Sequence, residues 1–178
     1  MGVLNAASKR LMPDRINLGQ HANMTMAHPI LRWENCAKRP DDENPAGKRT
    51  VMGYPLPDWQ RPLVWTEAQQ VRFLESAWLG LPLGTYTYNQ VVFDKHRELD
   101  GLLIDGQQRM WSVERYITDC YPVFGYRYSE ITDIDRRIFV MSISFPCYIA
   151  SSTDEQYLKD YYNLMNFGGT AHTEEERA

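Results

Sequence analysis

Hydrophobic and polar positions along this chain change rhythm several times, and each change predicts an element. From Thr66, apolar residues recur at Val71, Leu74, Trp78 and Leu81, one face of a helix that Gly80 and Pro82 stop. Thr66 with Gln69 fits a capping box at its start. The β-branched and aromatic content of Leu83 to Asn89 and of Val91-Val92-Phe93 predicts strands, and the polar run Asp94 to Glu98 predicts a turn. Leu102-Leu103-Ile104 is too short for a helix and suits a strand buried on both faces. Helical spacing returns at once with Met110, Val113 and Ile117.

Further on, Tyr121-Pro122-Val123-Phe124 reads as loop or edge, and Thr132 caps a short helix reaching about Val140. Ser142 to Ile149 alternates like a strand, with Pro146 placing it toward a sheet edge. Ser152 and Glu155 suggest a capping box opening a last helix, with Leu158, Tyr161 and Met165 facing the core and Gly168-Gly169 ending it. Strands and helices in this order predict an α+β fold, a small mixed β-sheet packed with helices.

Residues 1–50 lack a sustained period and read as a partly ordered N-terminal arm ahead of one domain over 51–178. Order is expected from Tyr54, where three prolines before Leu63 impose an extended, edge-like passage. The chain of 178 residues is long enough to bury its own core. Its net charge is −4, with eight Lys/Arg against five Asp/Glu in the arm and eleven against eighteen in the rest. An acidic body disfavours a broad duplex-gripping face, so any DNA contact is expected to be local. Cys36, Cys120 and Cys147 are widely spaced, and no Cys-x-x-Cys pair or signal-like segment accompanies them; a reducing, cytoplasmic setting is expected. Cys120 and Cys147 read as buried thiols. His21, His28 and Cys36 lack zinc-site spacing, and no metal is assigned to them. Apolar runs are interrupted before they could span a bilayer, so no membrane role is expected.

Candidate chemistry concentrates at Asp105-Gly106-Gln107-Gln108-Arg109, where the short strand meets the next helix. Gly106 permits a tight turn, and the first N–H groups of the helix, with its positive dipole end behind them, favour an anion such as phosphate. Arg109 would add a charged fork for phosphate oxygens, and Asp105 could hold a metal ion or orient a water. The plainer reading has Asp105 capping the helix and the rest forming a solvated first turn. Spacing alone leaves both open.

This pentapeptide resembles the Asp-Gly-Gln-Gln-Arg signature of the GmrSD N-terminal family, part of the wider ParB and sulfiredoxin-like superfamily. Two further stretches agree in order. Pro57-Asp58-Trp59-Gln60-Arg61 through Trp65 resembles the family's Pro-x-Phe-Gln-Arg-x-x-x-Trp segment, with Trp59 in place of Phe. Asn166-Phe167-Gly168-Gly169 through Thr173 resembles its Asn-x-Gly-Gly segment, with His172 where an apolar residue is usual. Trp65 and Trp78 read as core packing, whereas Gln60 and Arg61, polar among aromatics and prolines, read as functional.

The resemblance implies a ParB/sulfiredoxin-like fold whose turn binds the phosphates of a nucleoside triphosphate, linked to DNA processing or phage defence. It implies that Asp105 orients water or a magnesium ion and that Arg109 and Arg61 balance charge on phosphate. Gln60, Gln107 and Gln108 would position the ligand, Gly106 would supply backbone N–H groups, and Asn166, Gly168 and Gly169 would close the site. No Walker lysine motif is present, so a P-loop enzyme is not expected. Two alternatives stay open: a small DNA nickase or nuclease using the same residues, and a non-catalytic ligand sensor or interaction module. A protein partner or a homo-oligomer is compatible with each.

Overall fold

In the computed structural model, which describes residues 12, 15–39, 47–91 and 97–167, the elements follow one another as β1 (Gln20–Ala22), α1 (Ala27–Lys38), β2 (Thr50–Val51), β3 (Tyr54–Pro55), α2 (Glu67–Trp78), β4 (Tyr86–Asn89), a 3-10 turn (Arg97–Leu99), β5 (Leu103–Asp105), α3 (Gln107–Ile117), α4 (Asp133–Ser142), β6 (Cys147–Ala150) and α5 (Glu155–Phe167). Four strands form one mixed sheet in the order β1-β6-β4-β5, and β2 pairs with β3 in a separate hairpin. The β6–β4 pair is parallel and the outer two pairs are antiparallel. This is the α+β architecture that the patterning predicts.

Period-two alternation sorts the strand residues between two cores. Tyr86, Tyr88, Leu103 and Cys147 join Met26, Tyr54, Leu74, Met110 and Phe145 in the larger one. Leu102, Ile104 and Ala150 belong to a second cluster with Leu158, Tyr161 and Tyr162 of α5. Strand β5 is thus buried on both faces, with Leu103 and Ile104 both fully enclosed. Each such side chain contributes about 1.5–3 kcal/mol relative to exposure. The polar residues of β4 face the second cluster and are satisfied there. Thr87 Oγ1 lies 2.9 Å from Tyr161 Oη, and Asn89 Nδ2 donates to the Leu99 and Ser152 carbonyls.

The local caps form as predicted at two helices. Thr66 and Gln69 make a reciprocal capping box on α2, and Thr132 Oγ1 accepts from the Asp135 N–H at the start of α4. At α5 the cap is Asp154 rather than Ser152, since Asp154 Oδ1 accepts from the Gln156 and Tyr157 N–H groups. Ser152 Oγ instead accepts from the Asp154 N–H.

The stretch read as an arm carries two elements that its pattern did not announce. Within residues 1–50, β1 adds an edge strand to β6, and α1 buries Ile30 behind the fully enclosed Met26. Pro29 sits in the first turn of α1, where its missing N–H would have no helical partner. Strand β6 is interior rather than an edge, lying between β1 and β4. Pro146 precedes it, and the Pro146 carbonyl accepts from the Tyr86 N–H, so the proline interrupts no ladder. Leu81 lies beyond the end of α2 and is exposed, Met165 is exposed, and Cys120 is exposed while Cys147 is buried. Of the predicted strand Val91-Val92-Phe93, Val91 lies outside β4 and the other two lie outside the described residues.

Candidate functional site

Residues Asp105 to Arg109 occupy the junction of β5 and α3, as their pattern predicts. Gly106 is the N-cap of α3 with φ +95°, and a Cβ there would stand 2.7 Å from Tyr86 Cβ. Only glycine fits both the left-handed backbone and the contact with β4. No side chain caps α3, and no acidic residue lies in its first turn, so its positive dipole end is left to the space in front.

That space is a cleft of about 620 Å³, within the range of small-molecule sites. Its walls include Asp105 to Arg109, Arg61 and Trp65 from the proline-rich strap, Leu83 to Thr85 ahead of β4, and Tyr162 and Asn166 from α5. Arg61 and Arg109 therefore meet at one cavity although 48 positions separate them. Arg61 is exposed. Arg109 is held: Nη2 donates to Asp105 Oδ2 at 2.7 Å, Nη1 lies 3.5 Å from the Leu83 carbonyl, and the side chain crosses Gly84. Asp105 thus serves first as the brace for Arg109. The carboxylate is 15% and the guanidinium 22% exposed, so the pair forms at the half-open rim.

The three glutamines do something that the resemblance does not imply. All are 5% exposed, and their amide nitrogens bond to backbone carbonyls. Gln60 Nε2 donates to the Leu103 and Ile104 carbonyls of β5, and Gln107 Nε2 donates to the Arg61 carbonyl. Gln108 makes three bonds: Oε1 accepts from the Val64 and Trp65 N–H groups, and Nε2 donates to the Pro62 carbonyl. A proline-broken strap cannot satisfy its backbone in a ladder, and Gln107 and Gln108 do so from α3. The two motif segments are laced together, and the lacing brings Arg61 to the cleft that Arg109 also lines. Gln60 lies behind the cleft wall and does not line it; Gln107 and Gln108 line it.

Asn166 lines the cleft while its Nδ2 donates back to the Tyr162 carbonyl; Gly168 and Gly169 lie outside the described residues. The aromatic part of the wall was not legible as site: Trp65 is half-buried, packs on Phe73 at 5.9 Å and lines the cleft with it. Phe73 is one position off the apolar face counted from Val71, so periodicity gives no sign of it. Gly84, before a strand, carries a signal only of a turn. Trp59 turns away from the cleft, with Nε1 donating to Glu155 Oε1 and its ring 5.3 Å from that of Tyr162. Burial pushes the Tyr161 phenol up, the Thr87 hydrogen bond opposes this, and the Asp105 charge adds to the rise.

Asp105 gives one oxygen to Arg109, and among the described residues no group of three or more His, Cys, Asp or Glu side chains is placed to hold a cation.

An uncapped helix N-terminus and two arginines meet at one cleft of an α+β domain. The model of the family described as GmrSD restriction endonuclease, N-terminal domain, matches residues 46–143, more than half of the chain, and the chain belongs to that family. The match spans β2, β3, the strap, α2, β4, β5, α3 and α4, and leaves out β1, α1, β6 and α5. No curated protein and no solved structure matches. Among the described residues no helix is long and apolar enough to cross a membrane.

Proposed function

We propose that this domain binds a nucleoside triphosphate in the cleft and hydrolyses it, as the nucleotide-dependent part of a restriction system that acts against invading DNA. The observation that carries this reading is the convergence of Arg61 and Arg109 on the open N-terminus of α3. The backbone N–H groups and the helix dipole would cradle phosphate oxygens, and Arg109 would share its fork between Asp105 and the ligand. As the terminal P–O bond lengthens under attack by water, negative charge grows on the bridging and equatorial oxygens, and the braced Arg109 together with Arg61 stabilises it. Asp105 holds Arg109 in line and offers its remaining oxygen to the attacking water. Trp65 and Phe73, both half-buried, give the cleft flat aromatic surface suited to a base. Family membership supports the restriction context.

The test is thermal melting of the full chain with each ribo- and deoxyribonucleoside triphosphate, followed by phosphate release. A ligand at 100 times its Kd should add about 2.7 kcal/mol of stability. Arg109→Ala should abolish most of that gain. A protein whose melting no triphosphate alters, and which releases no phosphate, would refute the reading.

A further inference from the structure

On the far side of the Leu83–Thr85 wall lies a second groove of about 610 Å³, lined by Ala77, Trp78, Leu81, Ile138, Ile143 and Pro146 among others. One flank comes from the end of α2 and the other from α4. The outward face of α4 continues the apolar surface: Ile134 is 72%, Ile138 43% and Met141 62% exposed, at positions i, i+4 and i+7. Leu81, across the groove, is 53% exposed. Contiguous apolar surface of this extent on a helix face, rimmed by charge, marks an interaction site rather than scattered exposure.

We propose that this face is the interface of a twofold-symmetric dimer, with α4 of one copy packed antiparallel on α4 and into the groove of the other. Charge argues for a second copy as occupant. Asp133 and Arg137 are both exposed and sit one turn apart on the same face as Ile134 and Ile138. Antiparallel packing pairs the start of one helix with the middle of the other. Asp133 then meets Arg137 of the second copy while Ile134 meets its Ile138, and the same contacts recur across the axis. A surface that complements itself under a twofold rotation closes as a dimer. The groove suits the occupant too, because an amphipathic helix presents its apolar residues at the i, i+4, i+7 spacing found on α4. Asp133 keeps capacity for this bond: Arg136 Nη1 reaches only its Oδ1, at 3.4 Å, and the side chain is 97% exposed.

Sedimentation velocity of the full chain over a range of concentrations should show a reversible species of twice 20.8 kDa. Ile138→Asp should raise the dimer Kd by about thirtyfold or more, as truncation of a central interface residue does. Ile134→Glu, at a more exposed position outside the core, should do the same with an unchanged melt, so that a folding defect cannot imitate the result. Arg137→Asp should weaken the dimer, and Asp133→Arg combined with Arg137→Asp should restore it, since the exchanged pair regains its complement in both copies. A chain that stays monomeric, a dimer indifferent to Ile134→Glu, or an exchanged pair no better than Arg137→Asp would each overturn the proposal.

Discussion

Arg109 passes so close over Gly84 that a Cβ at position 84 would stand 2.7 Å from Nη1. A residue outside the recognised motifs therefore sets where the guanidinium lies. Gly84→Ala is expected to move the flexible end of Arg109 and to lower affinity for nucleotide, with a stability loss of about 1 kcal/mol from the left-handed backbone at φ +73°. Paired melting and ligand-titration curves check this. A variant that binds as wild type would show that Arg109 does not need the position described.

Asp105→Asn and Arg109→Ala should part company. Removing the carboxylate charge leaves Arg109 unopposed, so binding of a triphosphate should hold or tighten while turnover falls by about 100-fold or more. Arg109→Ala should weaken binding by about 1.5–3 kcal/mol, the range of a charge-assisted hydrogen bond, and slow turnover as well. Equal loss of binding in both variants would mean that Asp105 touches the ligand through its charge rather than through Arg109.

Gln108→Leu preserves bulk but strands two N–H groups and one carbonyl of the strap. A cost of about 3 kcal/mol is expected. Thr66→Ala, which removes half of a capping box, should cost about 1 kcal/mol. Urea unfolding orders the two. Proteolysis should also cut the Gln108→Leu strap before the rest of the domain opens.

Burial pushes the Glu114 carboxyl up, and the Met52 N–H bonded to it opposes the rise. A folded-state pKa above the unfolded one favours the protonated form in the native state. Its contribution is therefore complete below the ordinary glutamate range and is lost as pH climbs through the raised value. Glu114→Gln keeps an acceptor for Met52 without the charge, so the variant should gain on wild type as pH rises toward neutral. Melting temperatures taken between about pH 4 and about pH 8, a range that spans the ordinary carboxylate values, should diverge in that direction. Parallel curves would contradict the assignment.

What could be read from the sequence was what local physics decides. Thr66 with Gln69, Thr132 with Asp135, and the strand-to-helix break at Gly106 each involve residues within one turn of one another. Convergence of Arg61 with Arg109 was legible through the shared motif segments. Pairings across long stretches were not: Gln20 lies beside Ile149, and nothing in a three-residue polar strand announces its partner. Helix α1 escaped because Pro29 reads as a breaker unless its place in the first turn is known. Pro146 misled in the opposite sense, since it marks the start of β6 and not the edge of the sheet. The glutamines Gln60, Gln107 and Gln108 have the same formula as ligand-binding amides, and only the geometry shows their nitrogens spent on backbone carbonyls.

Among the described residues strand β5 ends the sheet on one side, and a bare strand there would invite another chain to extend it. Gln60 blocks this by occupying the carbonyls of Leu103 and Ile104 with a single side-chain amide. The residue that ties the strap to the strand is thereby also a guard against aggregation. Loss of the strap from β5, by mutation or by partial unfolding, would uncover an apolar edge rich in Leu and Ile and turn the domain into a seed for edge-to-edge association.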